Sequence, residues 1–100
     1  MGKNALLLVN PLAGKGQIRS KLMEVVDLFT KAGWEVTVYP TQKTKDGMRF
    51  VEANAHRFDR IICAGGDGTL NETVNGLLNA GVSCPIGYIP AGTTNDFATT

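Results

Sequence analysis

The chain has 100 residues, of which 43% are hydrophobic and 19% are charged. These values are typical of one globular domain and exclude a disordered chain. Ten basic and nine acidic residues leave a formal net charge of +1, so no basic surplus favours nucleic acid as a partner. No apolar stretch approaches the ~20 residues of a membrane helix. We therefore expect a cytoplasmic protein that binds no nucleic acid.

Strand and helix patterns alternate along the chain. Continuous apolar runs predict strands buried on both faces, and apolar residues three and four apart predict helices. In chain order, the predicted elements are a strand at 5–9, a helix from Ile18 that stops at Gly33, a strand at 34–39 ended by Pro40, a helix at 46–57, a strand at 60–64, a helix at 69–79 that carries Leu70, Val74, Leu77 and Leu78, and a strand at 86–89. This order predicts an α/β fold of three layers, with helices on both faces of a parallel, Rossmann-like sheet.

Two features concern the setting of the domain. The two cysteines, Cys63 and Cys84, lack the spacing of a metal or CxxC motif, so we expect free thiols in a reducing compartment, with Cys63 buried. Asn95 is a good N-cap for a further helix, and the sequence stops a few residues later. We therefore expect residues 1–100 to be a truncated part of a longer protein.

The segment Gly65-Gly66-Asp67-Gly68-Thr69 follows a predicted buried strand and opens a predicted helix. Glycines let a ligand approach the backbone, and the N–H groups and positive dipole of a helix N-terminus favour phosphate. Asp67 would repel phosphates unless a cation lay between them, which indicates Mg²⁺. The alternative is a tight strand-to-helix turn in which Asp67 is only a cap. Neither a GxxxxGK[ST] nor a GxGxxG motif is present.

Other polar segments should lie at the same edge of the sheet, because parallel strands all leave it there. They are the loop Asn10-Pro11-Leu12-Ala13-Gly14, Thr41 after the second strand, and the loop Pro90–Asp96. Each has a plainer interpretation as a turn or a loop hydroxyl. Asp96 could share Mg²⁺ with Asp67 or orient an acceptor hydroxyl, or it could be a first-turn acid. Asp67 and Asp96 are the candidate catalytic carboxylates.

Polar residues near the start of the predicted third helix are further candidates. Asn71 and Asn75 are four residues apart and share a helix face. Glu72 fits either a ribose or backbone contact or a first-turn acid that complements the helix dipole.

Together, the runs Asn10–Gly14, Gly65–Glu72, Asn75-Gly76 and Pro90–Ala98 resemble the catalytic-domain signature of diacylglycerol kinases and related lipid kinases. The resemblance covers the whole chain, in order and at plausible spacing. The combination is specific, whereas GGDGT alone also occurs in NAD kinases and phosphofructokinases. An NAD kinase-like enzyme and a stand-alone nucleotide-binding module remain the alternative hypotheses.

The resemblance implies an enzyme that uses Mg²⁺ and transfers the γ-phosphate of ATP to a lipid hydroxyl, such as that of diacylglycerol. It implies peripheral contact with the inner membrane face, and a second, β-rich domain that carries the general base. Without that domain we expect the fragment to be inactive, and an unpaired sheet edge makes a homo-oligomer possible. The residues implied in ATP binding are Asn10, Pro11, Leu12, Ala13, Gly14, Thr41, Gly65, Gly66, Asp67, Gly68, Thr69, Leu70, Asn71, Glu72 and Thr93, with Asp67 as the essential acid and metal ligand.

Overall fold

A computed structural model describes residues 3–13 and 17–90. The elements are β1 (Asn4–Val9), α1 (Gln17–Lys31), β2 (Glu35–Pro40), α2 (Asp46–Asn54) followed by a 3₁₀ turn (Ala55–Arg57), β3 (Arg60–Gly65), α3 (Asp67–Ala80) and β4 (Ile86–Pro90). The four strands form one parallel sheet in the order β2-β1-β3-β4.

Apolar side chains of β1 supply both cores of the domain. Ala5, Leu7 and Val9 face one layer and Leu6 and Leu8 face the other, and all five are at most 3% exposed. The helix α1 packs on the first face, while α2 and α3 pack on the second. The predicted three-layer α/β fold with a parallel sheet is therefore confirmed.

Several predicted boundaries differ from the observed ones by one to three residues. The helix predicted to reach residue 57 ends at Asn54, whose backbone leaves helical geometry (φ −125°) before the 3₁₀ turn. Pro40, which we expected beyond the strand, is the last residue of β2. An edge strand tolerates proline because one side of its backbone needs no donor. The bond from Thr41 N–H to the Val9 carbonyl, at 2.8 Å, is consistent with a Pro40 nitrogen that faces away from β1.

The helix α3 begins at Asp67, two residues before the predicted start at Thr69. Its buried face consists of Thr69, Thr73, Gly76 and Leu77, whereas Val74 and Leu78 are 38% and 71% exposed. Small residues face inwards because α2 and α3 pack closely. A Cβ atom at Gly76 would lie 2.8 Å from both the Met48 carbonyl oxygen and Val51 Cβ.

Glycines end two of the helices, as predicted. Gly33 and Gly81 have φ angles of +91° and +69°, in the left-handed region that glycine adopts without a Cβ clash. Both cysteines are free, and Cys63 is buried as predicted. Across residues 3–13 and 17–90, no helix has both the length and the apolar character that crossing a membrane would require.

The close packing of α2 on α3 predicts that Gly76→Ala destabilises the domain. The added methyl has no room, and overpacking typically costs about 1–3 kcal/mol. Gly68→Ala is the matched control, since a Cβ there meets nothing within 4 Å, and we expect it to be neutral or slightly stabilising. Equilibrium unfolding in urea measures both free energies, and equal stability of the two variants would contradict the packing argument.

Candidate functional site

A cleft of about 310 Å³ opens at the carboxyl ends of the central strands. The residues that line it are Asn10, Leu12, Thr41, Gln42, Lys43, Thr44, Gly66, Gly68, Thr69 and Glu72. They come from the loops after β1, β2 and β3 and from the start of α3. The helix after β1 covers one face of the sheet, and the helix after β3 covers the other. Ligands of open α/β sheets bind at such a switch point.

The turn from β3 into α3 depends on Gly65. A Cβ atom at this position would lie 3.0 Å from Thr69 Cβ and 3.2 Å from Asn10 Cβ, so a larger residue would force the two loops apart. Added Cβ atoms at Gly66 and Gly68 would meet no described atom within 4 Å. These two glycines therefore leave room for a ligand beside the backbone.

The start of α3 is open to an anion. Among the described residues, no side chain caps its first turn. The N–H groups of Thr69 and Leu70 donate to the Gly66 carbonyl at 3.0 and 3.3 Å. The N–H groups that precede them have no partner within the helix. Together with the positive end of the helix dipole, these unbonded N–H groups form a site that favours phosphate.

The start of α2 is closed by a carboxylate. Glu72 accepts hydrogen bonds from Lys45 N–H at 3.0 Å and from Gly47 N–H at 3.1 Å. Lys45 is the N-cap of α2, has φ 70°, and makes no side-chain cap of its own. An anion in the cleft is therefore directed to α3 and not to α2.

Residues 41–44, which we name the cleft wall, connect β2 to α2. Asp46 supports this segment by accepting hydrogen bonds from Gln42 N–H at 2.8 Å and from the Tyr39 hydroxyl at 3.0 Å. The Tyr39 ring stacks on Phe50 with a centroid distance of 4.0 Å. The cleft wall is thus built on a rigid base.

The opposite side of the cleft is the loop after β1. The Asn10 side-chain oxygen accepts a hydrogen bond from Leu12 N–H at 3.1 Å, which shapes the loop as an Asx turn. Leu12 is 75% exposed, while Ala13 packs against the core beneath α1. This loop therefore presents a polar residue and an apolar residue to the cleft.

Asp67 lies beside the cleft and not within it. It lines a more open neighbouring depression of about 520 Å³ together with Gly68, Leu70, Asn71 and Val74. The Tyr88 hydroxyl lies 3.5 Å from Asp67 Oδ1. Gly68 lines both hollows. The turn from β3 into α3 (Gly65–Thr69), which we name the glycine turn, therefore lies between the Asp67 carboxylate and the cleft.

The donor set around Asp67 suits a cation held mainly by other groups. In the part of the chain that the structure describes, no three His, Cys, Asp or Glu side chains gather into a metal site. A single carboxylate combined with phosphate oxygens and water is a common environment for Mg²⁺. Asp67 therefore fits Mg²⁺ that arrives with a phosphate ligand.

The structure divides the site residues predicted from sequence into four groups. The cleft contains Asn10, Leu12, Thr41, Gly66, Gly68, Thr69 and Glu72, and the neighbouring depression contains Asp67, Leu70 and Asn71. Gly65, Pro11 and Ala13 line neither hollow, and Gly14, Thr93 and Asp96 lie outside the described residues. Sequence reasoning missed Gln42, Lys43 and Thr44 in the cleft, although the argument that selected Thr41 applies equally to the residues that follow it.

Both tyrosines of this edge have raised pKa values. The hydrogen bond to Asp46 is the main cause of the raised pKa of Tyr39. Burial, followed by the nearby charge of Asp67, raises the pKa of Tyr88. Because these folded-state pKa values exceed the ordinary value of about 10, the associated stability is fully present below pH ~10 and is lost as the pH rises through the raised values.

Removal of the Asp46 or the Asp67 carboxylate should therefore lower the pKa of one tyrosine and leave that of the other unchanged. Asp46→Asn should lower the pKa of Tyr39 towards its ordinary value and leave the Tyr88 pKa raised. Asp67→Asn, the reciprocal control, should lower the pKa of Tyr88 only in part, because burial remains. Phenolate absorbance measured against pH resolves the two tyrosines, and identical titration of all three proteins would contradict these assignments.

Comparison with known proteins agrees with the geometry. Residues 4–100 match the family described as the diacylglycerol kinase catalytic domain. Diacylglycerol kinases of Staphylococcus aureus (strain bovine RF122 / ET3-1) and Bacillus subtilis (strain 168) are both 42% identical to the chain, over 98 and 97 residues. These matches cover 97% and 96% of this chain, but 31% and 32% of the relatives.

A solved structure gives the same result for the fold. A diacylglycerol kinase from Bacillus anthracis str. Sterne superposes with a TM-score of 0.80 at 34% identity, over 97% of this chain and 36% of that protein. The chain thus spans about a third of the length of the relatives that it matches. The resemblance inferred from its motifs is confirmed, and the chain belongs to the diacylglycerol kinase catalytic domain family.

Proposed function

We propose that this chain is the ATP-binding part of a lipid kinase that transfers the γ-phosphate of ATP to a lipid hydroxyl such as that of diacylglycerol. The observation that carries the proposal is the cleft itself, which combines two open glycines and an α3 N-terminus that no described side chain caps with Lys43 on the cleft wall. Family membership supports the choice of reaction, because the matched relatives are named diacylglycerol kinases.

The nucleotide lies with its phosphates at the glycine turn. The N–H groups at the start of α3 and the positive dipole end receive the phosphate charge. Lys43 is the one cation among the described residues that line the cleft. Exposed Leu12 offers an apolar contact for the base, and Asn10 and Thr41 offer polar contacts for the remainder of the nucleotide.

Asp67 is the essential acid of this chain. Phosphoryl transfer depends on positioning and charge stabilisation more than on covalent chemistry. Mg²⁺ bound with ATP would neutralise phosphate charge, and Asp67 is the residue that would hold it on this chain. We place the general base in the β-rich domain that the resemblance implies, and we retain Thr93 as an implied ATP contact and Asp96 as a second candidate catalytic carboxylate.

The acceptor is a long-chain alcohol presented at the inner face of a membrane. The activity belongs to the full-length protein, because the chain spans only about a third of its relatives. We therefore expect the isolated chain to bind MgATP without phosphorylating a lipid.

In the full-length protein, Asp67→Asn should abolish phosphorylation of diacylglycerol while the protein stays folded. The substitution keeps the side-chain shape but removes its charge, and we expect a loss of at least about 100-fold in kcat. Asp27→Asn is the control, since Asp27 pairs with Lys31 on the exposed surface of α1 at 2.9 Å. Radiolabelled phosphate transfer with diacylglycerol or NAD as acceptor is the measurement. Preferential phosphorylation of NAD, or retained turnover in Asp67→Asn, would overturn the proposed function.

In the isolated chain, Lys43→Ala should weaken MgATP binding by about two- to fivefold, as expected for one exposed charge pair. Arg49→Ala is the matched control, because Arg49 is also an exposed cation close in the chain but does not line the cleft. The shift of the thermal unfolding midpoint with MgATP concentration reports both affinities. Equal effects of the two substitutions would contradict the placement of the phosphates beside Lys43.

A further inference from the structure

We propose that Glu72 is a positioning residue, which fixes the cleft wall (residues 41–44) through the start of α2 and makes no contact with the nucleotide. The inference rests on the proposed function, since it treats this wall as part of a nucleotide site. Glu72 belongs to α3, whereas the groups that it holds belong to the start of α2, 25 and 27 residues earlier.

One carboxylate performs both halves of a helix cap. In an ordinary cap, the N-cap side chain accepts a hydrogen bond from the second or third residue of the helix, and in a capping box a glutamate reaches back to the N-cap N–H. Here Glu72 Oε1 accepts from Gly47 N–H, the second residue of α2, and Oε2 accepts from the N–H of the N-cap, Lys45. The cap of α2 is therefore supplied by another helix.

The N-cap needs this external support. Lys45 has φ 70°, a left-handed conformation that is unfavourable for a residue with a Cβ atom, and its side chain forms no cap. The two bonds to Glu72, from the N–H groups of Lys45 itself and of Gly47, hold Lys45 in the strained conformation. Without them, Lys45 would relax and would carry the end of the cleft wall with it.

The other end of the wall is fixed independently. Thr41 N–H reaches the Val9 carbonyl at 2.8 Å, and Gln42 N–H reaches Asp46 at 2.8 Å. In the rest of the wall, the Lys43 carbonyl accepts a hydrogen bond from Asp46 N–H at 3.1 Å. Lys43 and Thr44 therefore depend on the start of α2, which Glu72 holds. Loss of Glu72 should loosen that part of the cleft without disturbing its beginning.

The position of Glu72 relative to α2 is set by packing. A Cβ atom at Gly47 would lie 3.0 Å from Glu72 Oε1 and 3.1 Å from Leu8 Cδ2, so a larger residue would displace the carboxylate or the leucine by a few tenths of an ångström. Further along, Gly76 of α3 packs directly against Val51 of α2. The two helices therefore hold the carboxylate at a fixed place, as a positioning role requires.

The test uses the 100-residue chain with Glu72→Ala, Glu72→Gln and the control Glu52→Ala. Glu52 also links α2 to α3, through Asn79 at 3.1 Å, but it lies outside the cleft. Amide hydrogen exchange at Lys45 and Gly47 reports the cap directly. Titration with MgATP and with its 2′,3′-dideoxy analogue reports the site and separates positioning from contact with the ribose hydroxyls.

We expect Glu72→Ala to speed exchange at both amides by about tenfold or more, as the loss of charge-assisted hydrogen bonds implies. Glu72→Ala should weaken the binding of MgATP and of the dideoxy analogue by the same factor, also about tenfold. The factors are equal because the loss of the cap and the loss of the ribose hydroxyls act independently. Glu72→Gln should fall between Glu72→Ala and the unsubstituted chain, since one acceptor oxygen remains. Glu52→Ala should change neither measurement.

Each contrary result has a distinct meaning. Unchanged exchange at Lys45 and Gly47 overturns the positioning role whatever the nucleotide does. Tighter MgATP binding in Glu72→Ala shows that the carboxylate acts by repelling phosphate, and a penalty that vanishes with the dideoxy analogue shows ribose contact; both overturn the proposal. If the unsubstituted chain binds no MgATP while Glu72→Ala still speeds exchange, the nucleotide assignment of this cleft fails, and the positioning proposal fails with it.

Discussion

The burial of β1 between β2 and β3 is the constraint on which the rest of the domain depends. Its side chains serve two cores, so a helix layer must cover each face of the sheet. The chain satisfies this requirement by passing from β1 to one neighbour through α1 and returning across β1 to the other neighbour through α2. The loops after β1 and β3 therefore diverge, and the cleft lies in the gap between them.

The N-termini of α2 and α3 have the same electrostatic character but are used for different purposes. Both begin at the cleft edge, where each presents N–H groups and a positive dipole end. Glu72 accepts from two of these groups at the start of α2, whereas no described side chain caps the first turn of α3. One helix start is thereby used to build the wall of the site, and the other remains available to a phosphate.

The sequence predicted the class of fold and the edge of the sheet at which the cleft opens, because both follow from local signals. The apolar runs and helical spacing specified four strands and three helices, and the GGDGT segment specified the turn into α3 that borders the cleft. The face of α3 was less accessible to prediction. Its large apolar residues Val74 and Leu78 are exposed, while Thr73 is buried because its hydroxyl bonds the Thr69 carbonyl at 2.8 Å. The role of Glu72 in the α2 cap also escaped prediction, since it depends on a contact 25 residues away in the chain.

The separation of Asp67 from the cleft is consistent with the direction of the proposed reaction. In-line phosphoryl transfer places the leaving nucleotide and the incoming hydroxyl on opposite sides of the transferred group. Gly68 borders both the cleft and the depression that contains Asp67, so a phosphate at the start of α3 would lie between them. A side chain at Gly68 would occupy the open space between the cleft and the depression that contains Asp67. In the proposed reaction the phosphoryl group would cross this boundary between the two hollows, so the open space at Gly66 and Gly68 would serve the ligand, whereas Gly65 serves the packing of the turn.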